Sequence, residues 1–175
     1  VSITPKEPAT NAIDLGWQAW RYDYYPAGST SPGSLFHVYR VRDDGSTLET
    51  VATYEYDAMG RVTRQVAPGG GQTDYVYDSA GNLHTVTGPA NNDGGLRPVT
   101  TYGHDSLGRV TSVTDPLGRV TTYSYDPLGR VLSVTLPKPA PGSALDFTTT
   151  YAYDEYDSAT GLVFTRVTDP NGKVT

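Results

Sequence analysis

Carboxylates are the first residues in this chain that could do chemistry. Glu55 with Asp57, and Asp154 with Glu155 and Asp157, stand close enough in sequence to act as a pair in glycoside hydrolysis. Turn capping and solvated strand positions account for the same residues without any reaction. His37, His84 and His104 are isolated from one another and show no metal-ligand spacing, so the sequence names no metal site. His104 reads as a strand residue. Gly-x-Ser-x-Gly, His-Glu-x-x-His and phosphate-loop patterns are all missing, and Gly69-Gly70-Gly71 lacks the following Lys-Ser/Thr. No Asn-x-Ser/Thr site is present. The sequence therefore points to no enzyme and no cofactor.

Tyrosine offers a different chemistry. Tyr54, Tyr56, Tyr75, Tyr77, Tyr123, Tyr125, Tyr151 and Tyr153 fall in Tyr-x-Tyr pairs and could line one face of a sheet. Exposed rings of this kind stack on sugars, which makes the row a candidate binding surface. The plainer reading is that the rings pack across neighbouring strands as ordinary sheet contacts.

The elements that hold these residues follow from an internal repeat. Asp-x-x-Gly recurs at Asp57–Gly60, Asp78–Gly81, Asp105–Gly108, Asp115–Gly118, Asp126–Gly129 and Asp169–Gly172. Steps of 10 and 11 residues make a double unit of 21, which also separates Asp57 from Asp78. Ala67-Pro68-Gly69-Gly70 fills the middle turn of that earlier unit. Longer steps are explained by insertions at Gly88–Gly95, at Leu136–Gly142 and in a turn after Asp154 that reaches its glycine only at Gly161. Insertions thus collect at turns and spare strands.

Each unit reads as a hairpin. Tyr-x-Tyr places two rings on one face, and Asp57 can accept backbone N–H groups inside a four-residue turn. Gly60 can take positive φ, and Arg61-Val62-Thr63 starts the return strand. Pro116, Pro127 and Pro170 suit the first central turn position. Apolar residues usually stand two and five places after the glycine, as at Val110 and Val113, a mixed parity that predicts a bulge or strands covered on both faces.

Composition agrees. The 175 residues include 24 Thr, 14 Tyr, 19 Gly and 13 Pro, a mixture that favours short strands and tight turns over helices. A net charge of −6 with scattered Arg and Lys argues against a nucleic-acid face. No apolar run approaches the roughly 20 residues that span a bilayer as a helix. Cysteine is absent, which excludes disulfides and thiolate chemistry.

The tandem units resemble the RHS/YD-repeat family, whose recurring unit is close to Tyr-x-Tyr-Asp-x-x-Gly-Arg-Leu followed by a second turn. The best copy runs from Thr114 to Val131, and the match covers about residues 52 to 175. Val stands for the commoner Leu after Arg, and His104 stands for the second Tyr. The resemblance implies an all-β fold of tandem antiparallel hairpins forming a long twisted sheet, part of a larger barrel-like shell. It implies a scaffold, secreted or at the cell surface, that encloses a C-terminal toxin or effector of its own parent chain. A carbohydrate-binding or adhesion module using the Tyr face is the alternative. Family members of bacteria self-cleave near an Asp-Pro-x-Gly-Leu motif, but here Arg119, Arg130 and Lys173 stand where that motif has Leu.

Residues 1–50 match poorly and are expected to form a degenerate repeat or capping region, with 51–175 as the repeats. Trp20-Arg21-Tyr22-Asp23 is read there as a degenerate copy and Asp43-Asp44-Gly45 as a hairpin turn. The chain stops in mid-unit at Thr175 and reads as an excerpt. Its expected partners are further repeats of the parent chain, self-association through strand edges, an enclosed effector or a carbohydrate.

Overall fold

The computed structural model describes residues 17–42, 48–90, 95–138 and 147–175. Asp43-Asp44-Gly45 and the central parts of both long insertions lie outside the described residues. The fold is all-β. Its strands are β1 (Trp17–Tyr24), β2 (Leu35–Arg42), β3 (Leu48–Tyr56), β4 (Val62–Val66), β5 (Gln72–Tyr77) and β6 (Leu83–Thr87). They continue with β7 (Val99–His104), β8 (Val110–Thr114), β9 (Val120–Tyr125), β10 (Val131–Thr135), β11 (Thr148–Asp157) and β12 (Leu162–Thr168). In the sheet they follow one another in chain order, as expected of consecutive hairpins. No helix among the described residues is long and apolar enough to cross a membrane. Two compact units divide the chain: Val1–Val76 with Val86–Pro98, and Tyr77–Thr85 with Val99–Thr175.

The second unit shows why Thr, Tyr and Val dominate. Tyr102 pairs with Val113, Val113 with Thr121, Tyr123 with Val134, Val134 with Thr149 and Tyr151 with Val167. Cross-strand partners share a face, so these residues make one aromatic and aliphatic surface. The opposite surface carries hydroxyls: Ser112 opposes Thr122, Ser133 opposes Ser124, and Thr135 opposes Thr148. Ser124 and Ser133 hydroxyls meet at 2.6 Å, and those of Thr135 and Thr148 at 2.8 Å.

The mixed parity of the apolar residues has a physical cause. Val131 pairs with Tyr125, but Ser133 pairs with Ser124, so Leu132 is the extra residue of a bulge. The same shift makes Thr111 extra between Val110 and Ser112, and Thr63 extra between Val62 and Arg64. A bulge at that point restores Val110 and Val113, or Val131 and Val134, to one face.

The first unit keeps this two-sided plan with other residues. Tyr54 and Tyr56 oppose Gln65 and Val62, while Glu55, Arg64 and Asp74 share the other face. Ion pairs replace hydroxyls there: Arg64 reaches Asp74 at 2.7 Å and Glu55 at 3.4 Å. Among the described hydrophobic residues only Ala52 is buried, at 6% exposure. Order therefore rests on strand pairing and half-covered faces instead of a central core.

Trp20-Arg21-Tyr22-Asp23 lies wholly inside β1, with Asp23 paired to His37, so Asp23 opens no turn. The connection to β2 closes through Tyr25, whose N–H donates to Ser34 and whose carbonyl accepts from Gly33. Tyr25 also donates its hydroxyl to the Tyr54 carbonyl at 3.1 Å and lies 4.5 Å from the Phe36 ring. After Tyr153 the extra residues lengthen strands more than the turn: β11 runs on to Asp157, and Gly161 donates to the Asp157 carbonyl at 2.7 Å. Asp154 takes a positive φ of 57° there, at the register shift between β11 and β12.

Candidate functional site: aspartate turns joined by arginine and tyrosine

The repeating turn is built almost identically each time. Asp57 N–H donates to the Arg61 carbonyl at 2.9 Å, and Gly60 N–H to the Asp57 carbonyl at 3.0 Å. One carboxylate oxygen of Asp57 accepts the N–H groups of Met59 and Arg61, and the other accepts Arg61 Nε at 2.7 Å. Asp105, Asp115 and Asp126 repeat all three bonds with Leu107 and Arg109, Leu117 and Arg119, and Leu128 and Arg130. Asp78 does the same with Ala80 and Asn82, and Asp169 holds the N–H groups of Asn171 and Lys173.

Positive φ is what these turns need from glycine. It is 78° at both Gly60 and Gly108, and Gly81, Gly118, Gly129 and Gly172 lie in the same region. Ala67-Pro68-Gly69-Gly70 makes the same backbone turn without an aspartate, Ala67 donating to Gly71 and Gly70 to Ala67.

Arginine then ties one double unit to the next. Arg109 holds Asp105, donates Nη1 to the Asp126 carbonyl at 2.9 Å, and lies 4.8 Å above the Tyr125 ring. Tyr125 returns its hydroxyl to the Val110 carbonyl at 2.7 Å. Arg130 repeats the pattern on Tyr153 at 4.4 Å, with Tyr153 donating to Val131 at 2.8 Å. Because Asp154 is turned to positive φ, its carboxylate takes Arg130 Nη1, at 2.6 Å. A guanidinium over a ring with its Nε and Nη1 groups aimed at acceptors is a well-matched use of Arg.

Two departures from the pattern fall together. Asn82 stands where Arg is expected, and His104 stands where its stacking Tyr would be. The His104 Nδ1 atom is buried without a hydrogen-bond partner, and the Asn82 side chain sits 2.9 Å from where a Cβ on Gly108 would lie. The double substitution N82R/H104Y is expected to stabilise the chain by about 1 kcal/mol, since it removes an unpaired buried nitrogen and restores the arginine–tyrosine contact. Urea denaturation checks it; a lower midpoint for the double variant than for wild type would refute the reading.

All eight tyrosines of the candidate row are half-buried. Tyr125 and Tyr153 spend their hydroxyls on backbone carbonyls, and Tyr75 lies 3.5 Å from Gln65 Oε1. The carboxylates of each set are separately engaged. Asp57 is held by Arg61, Glu55 faces Arg64, and Glu155 faces Arg166 at 2.6 Å. Asp154 faces Arg130, while Asp157 accepts the Ala159 N–H and the Thr160 hydroxyl. His84 Nδ1 lies 3.2 Å from the Tyr102 carbonyl, and His37 packs beside Phe36 and Tyr39. No group of His, Asp and Glu among the described residues could hold a metal ion.

These surroundings keep the turn carboxylates ionised. Bonds from the Arg61 and Asn82 backbones lower Asp57 and Asp78 below the usual range, and the Arg119 backbone does so for Asp115. At Asp105 and Asp126 burial pushes upward, and the bonds from Arg109 and Arg130 outweigh it. At Asp74 burial is again the largest influence, yet Arg64, Arg97 and Gln72 bring it down to about 2. Carboxylates depressed on folding stabilise the native state fully above their unfolded value of about 3.9, and that stability is lost as pH falls through the folded values. Unfolding is thus expected as pH drops from about 4 toward 2. A circular-dichroism titration that stays flat to pH 2 would contradict it.

The RHS Repeat family model matches residues 56–93 and 104–139. No curated protein matches the chain. Solved structures share its fold at low identity. One is the TcdB2–TccC3 complex without its hypervariable C-terminal region, 20% identical with a TM-score of 0.62 over 89% of this chain and 8% of that one. The TcdB2–TccC3–Cdc42 structure is 21% identical, with a TM-score of 0.59 over 85% of this chain and 8% of that one. The Tc holotoxin pore of Photorhabdus luminescens gives 20%, 0.60, 89% and 8% for the same quantities. This chain therefore spans under a tenth of the structures it resembles, and its likeness to RHS repeats is carried by the two matched stretches.

Proposed function

We propose that this chain is a non-catalytic segment of a shell wall that encloses a C-terminal toxin or effector of its parent protein, secreted or held at the cell surface. The observation that carries the reading is the arginine–tyrosine joint: Arg109 and Arg130 each bind their own turn and reach into the next double unit. Such a joint extends a wall by repetition and leaves each carboxylate occupied with structure. Residues 51–175 are the repeats in this reading, with 1–50 as a capping or boundary region.

Similarity to Tc toxin structures supports the proposal at the level of fold. Adhesion through the Tyr face is the weaker reading, because the rings are half-buried and the Tyr125 and Tyr153 hydroxyls are already engaged. Limited proteolysis of the native parent protein, followed by intact-mass analysis, separates the two. A resistant body that retains a C-terminal fragment until denaturation supports the wall. A parent with nothing protected inside it overturns that reading and turns the test to glycan binding.

A further inference from the structure

The third residue of the aspartate turn varies from copy to copy: Met59, Ala80, Leu107, Leu117, Leu128 and Asn171. The fourth is glycine each time, because the turn sets it at positive φ, 79° at Gly172. An asparagine at the third place is therefore followed by glycine by construction. Asn171–Gly172 is the one Asn-Gly pair in the sequence, and both residues are exposed. The side-chain amide carbon of Asn171 is an electrophile within ring-closing reach of the Gly172 backbone nitrogen, and no Cβ on Gly172 shields that nitrogen. Met, Ala and Leu at the same place offer nothing to attack.

We propose that Asn171 is a site of spontaneous deamidation and isomerisation, held in check by its own turn. The Gly172 nitrogen bonds to Asn171 Cγ as its proton passes to solvent, and ammonia leaves. The cyclic imide so formed takes up water at either carbonyl, giving aspartate or isoaspartate. In the closed turn that nitrogen is occupied, since Gly172 N–H donates to the Asp169 carbonyl at 2.9 Å. The Asp169 carboxylate also holds the N–H groups of Asn171 and Lys173, each at 2.9 Å. Reaction must wait for the turn to open, a local event at an exposed loop that needs no global unfolding.

The product changes the turn for good. Isoaspartate routes the main chain through the former side chain and so adds a backbone carbon to a turn closed by bonds between fixed positions. The bond from Asp169 N–H to the Lys173 carbonyl, at 2.9 Å, spans that carbon. So does the pairing beyond it, where Val167 and Thr175 exchange two bonds at 2.9 Å and Thr168 bridges Val174. Modification therefore loosens the chain that returns along β12, and adds a negative charge to a net −6. None of this depends on what a wall encloses, so its failure would leave the proteolysis result unaffected.

The test is peptide mapping of the 175-residue chain after incubation at mildly alkaline pH, both folded and in urea. Trypsin, cutting after Arg166 and Lys173, releases Val167–Lys173, in which Asn171 is the sole side-chain amide. Two acidic products of that peptide are expected, aspartate and isoaspartate, and N171S should abolish both. They should form at least about tenfold more slowly in the folded chain, which corresponds to a turn opening of about 1.4 kcal/mol. D169A, which removes the acceptor of two turn N–H groups, should speed the folded-state reaction several-fold, while D115A, in another turn, should not. Circular dichroism confirms that the variants are folded; if D169A is not, D169S replaces it. A peptide that stays unmodified in urea would overturn the proposal. So would equal rates in folded and unfolded chains, or a D169A rate no faster than that of D115A.

Discussion

Replacing Asp126 with alanine is expected to lower the thermal midpoint by roughly 5–10 °C, the largest effect of any single turn aspartate. Asp126 is the most enclosed of them, at 8% exposure, and three donors converge on it: the N–H groups of Leu128 and Arg130 and the Arg130 Nε. Alanine leaves both N–H groups without their acceptor and strips Arg130 of one of its two carboxylates. Asn should recover part of the loss, since an amide oxygen can still accept the backbone donors while the ion pair is gone. D115A is the internal comparison, because the Asp115 side chain is 29% exposed against 10% for Asp126, and water can replace more of what is lost. Thermal melts of D126A, D126N and D115A decide the matter; equal shifts for the two alanine variants would show that enclosure has no part in it.

The second large effect is expected at Arg97. Its guanidinium reaches the carbonyls of Gly88 at 2.8 Å, Gln72 at 2.8 Å and Thr87 at 3.0 Å, and the Asp74 carboxylate at 2.5 Å. Gly88 N–H donates to the Pro98 carbonyl at 2.8 Å, so these bonds close the neck of the insertion that follows Gly88. A Cβ on Gly88 would stand 3.0 Å from Pro98 Cγ, which leaves that neck little room. R97A should cost about 2–3 kcal/mol, moderated because the side chain is 31% exposed. R97K should fail to rescue it, since one ammonium cannot address four acceptors spread around a planar fork. Urea denaturation gives the magnitude. Unchanged hydrogen exchange at the Gly88 amide in R97A would show that the neck is held by something else.

Much of the fold was legible because it is local. Asp-x-x-Gly encodes a turn within four residues, and the Val110/Val113 parity encodes a bulge within five. The arginine–tyrosine joint was not legible in that way. Arg109 and Tyr125 stand 16 positions apart, and no local period says that an arginine will lie over a ring on the strand after next. The only sequence clue was the paired departure at Asn82 and His104, which gains meaning once the partners are seen together. Arg97 is a similar case, since it sits just past an insertion and reaches back to Asp74. In the N-terminal region a search for aspartate lit on Asp23, whereas Tyr25 closes the loop there. The lengthened β11 was hidden because Asp154 carries the turn motif's residue without making its turn.

The joints at Arg109 and Arg130 also bear on how such a chain comes apart. With Ala52 the only buried apolar residue among those described, there is little shared interior whose loss would melt everything at once. Each double unit instead owes part of its free energy to the neighbour that its arginine grips, the nearest-neighbour arrangement of a one-dimensional lattice. Cooperativity then becomes a property of the joints. Where one is weak, as at Asn82 and His104, opening should begin and halt; where they are intact, adjacent units should open together, and adding units should stabilise the chain more than enlarging any side chain within it.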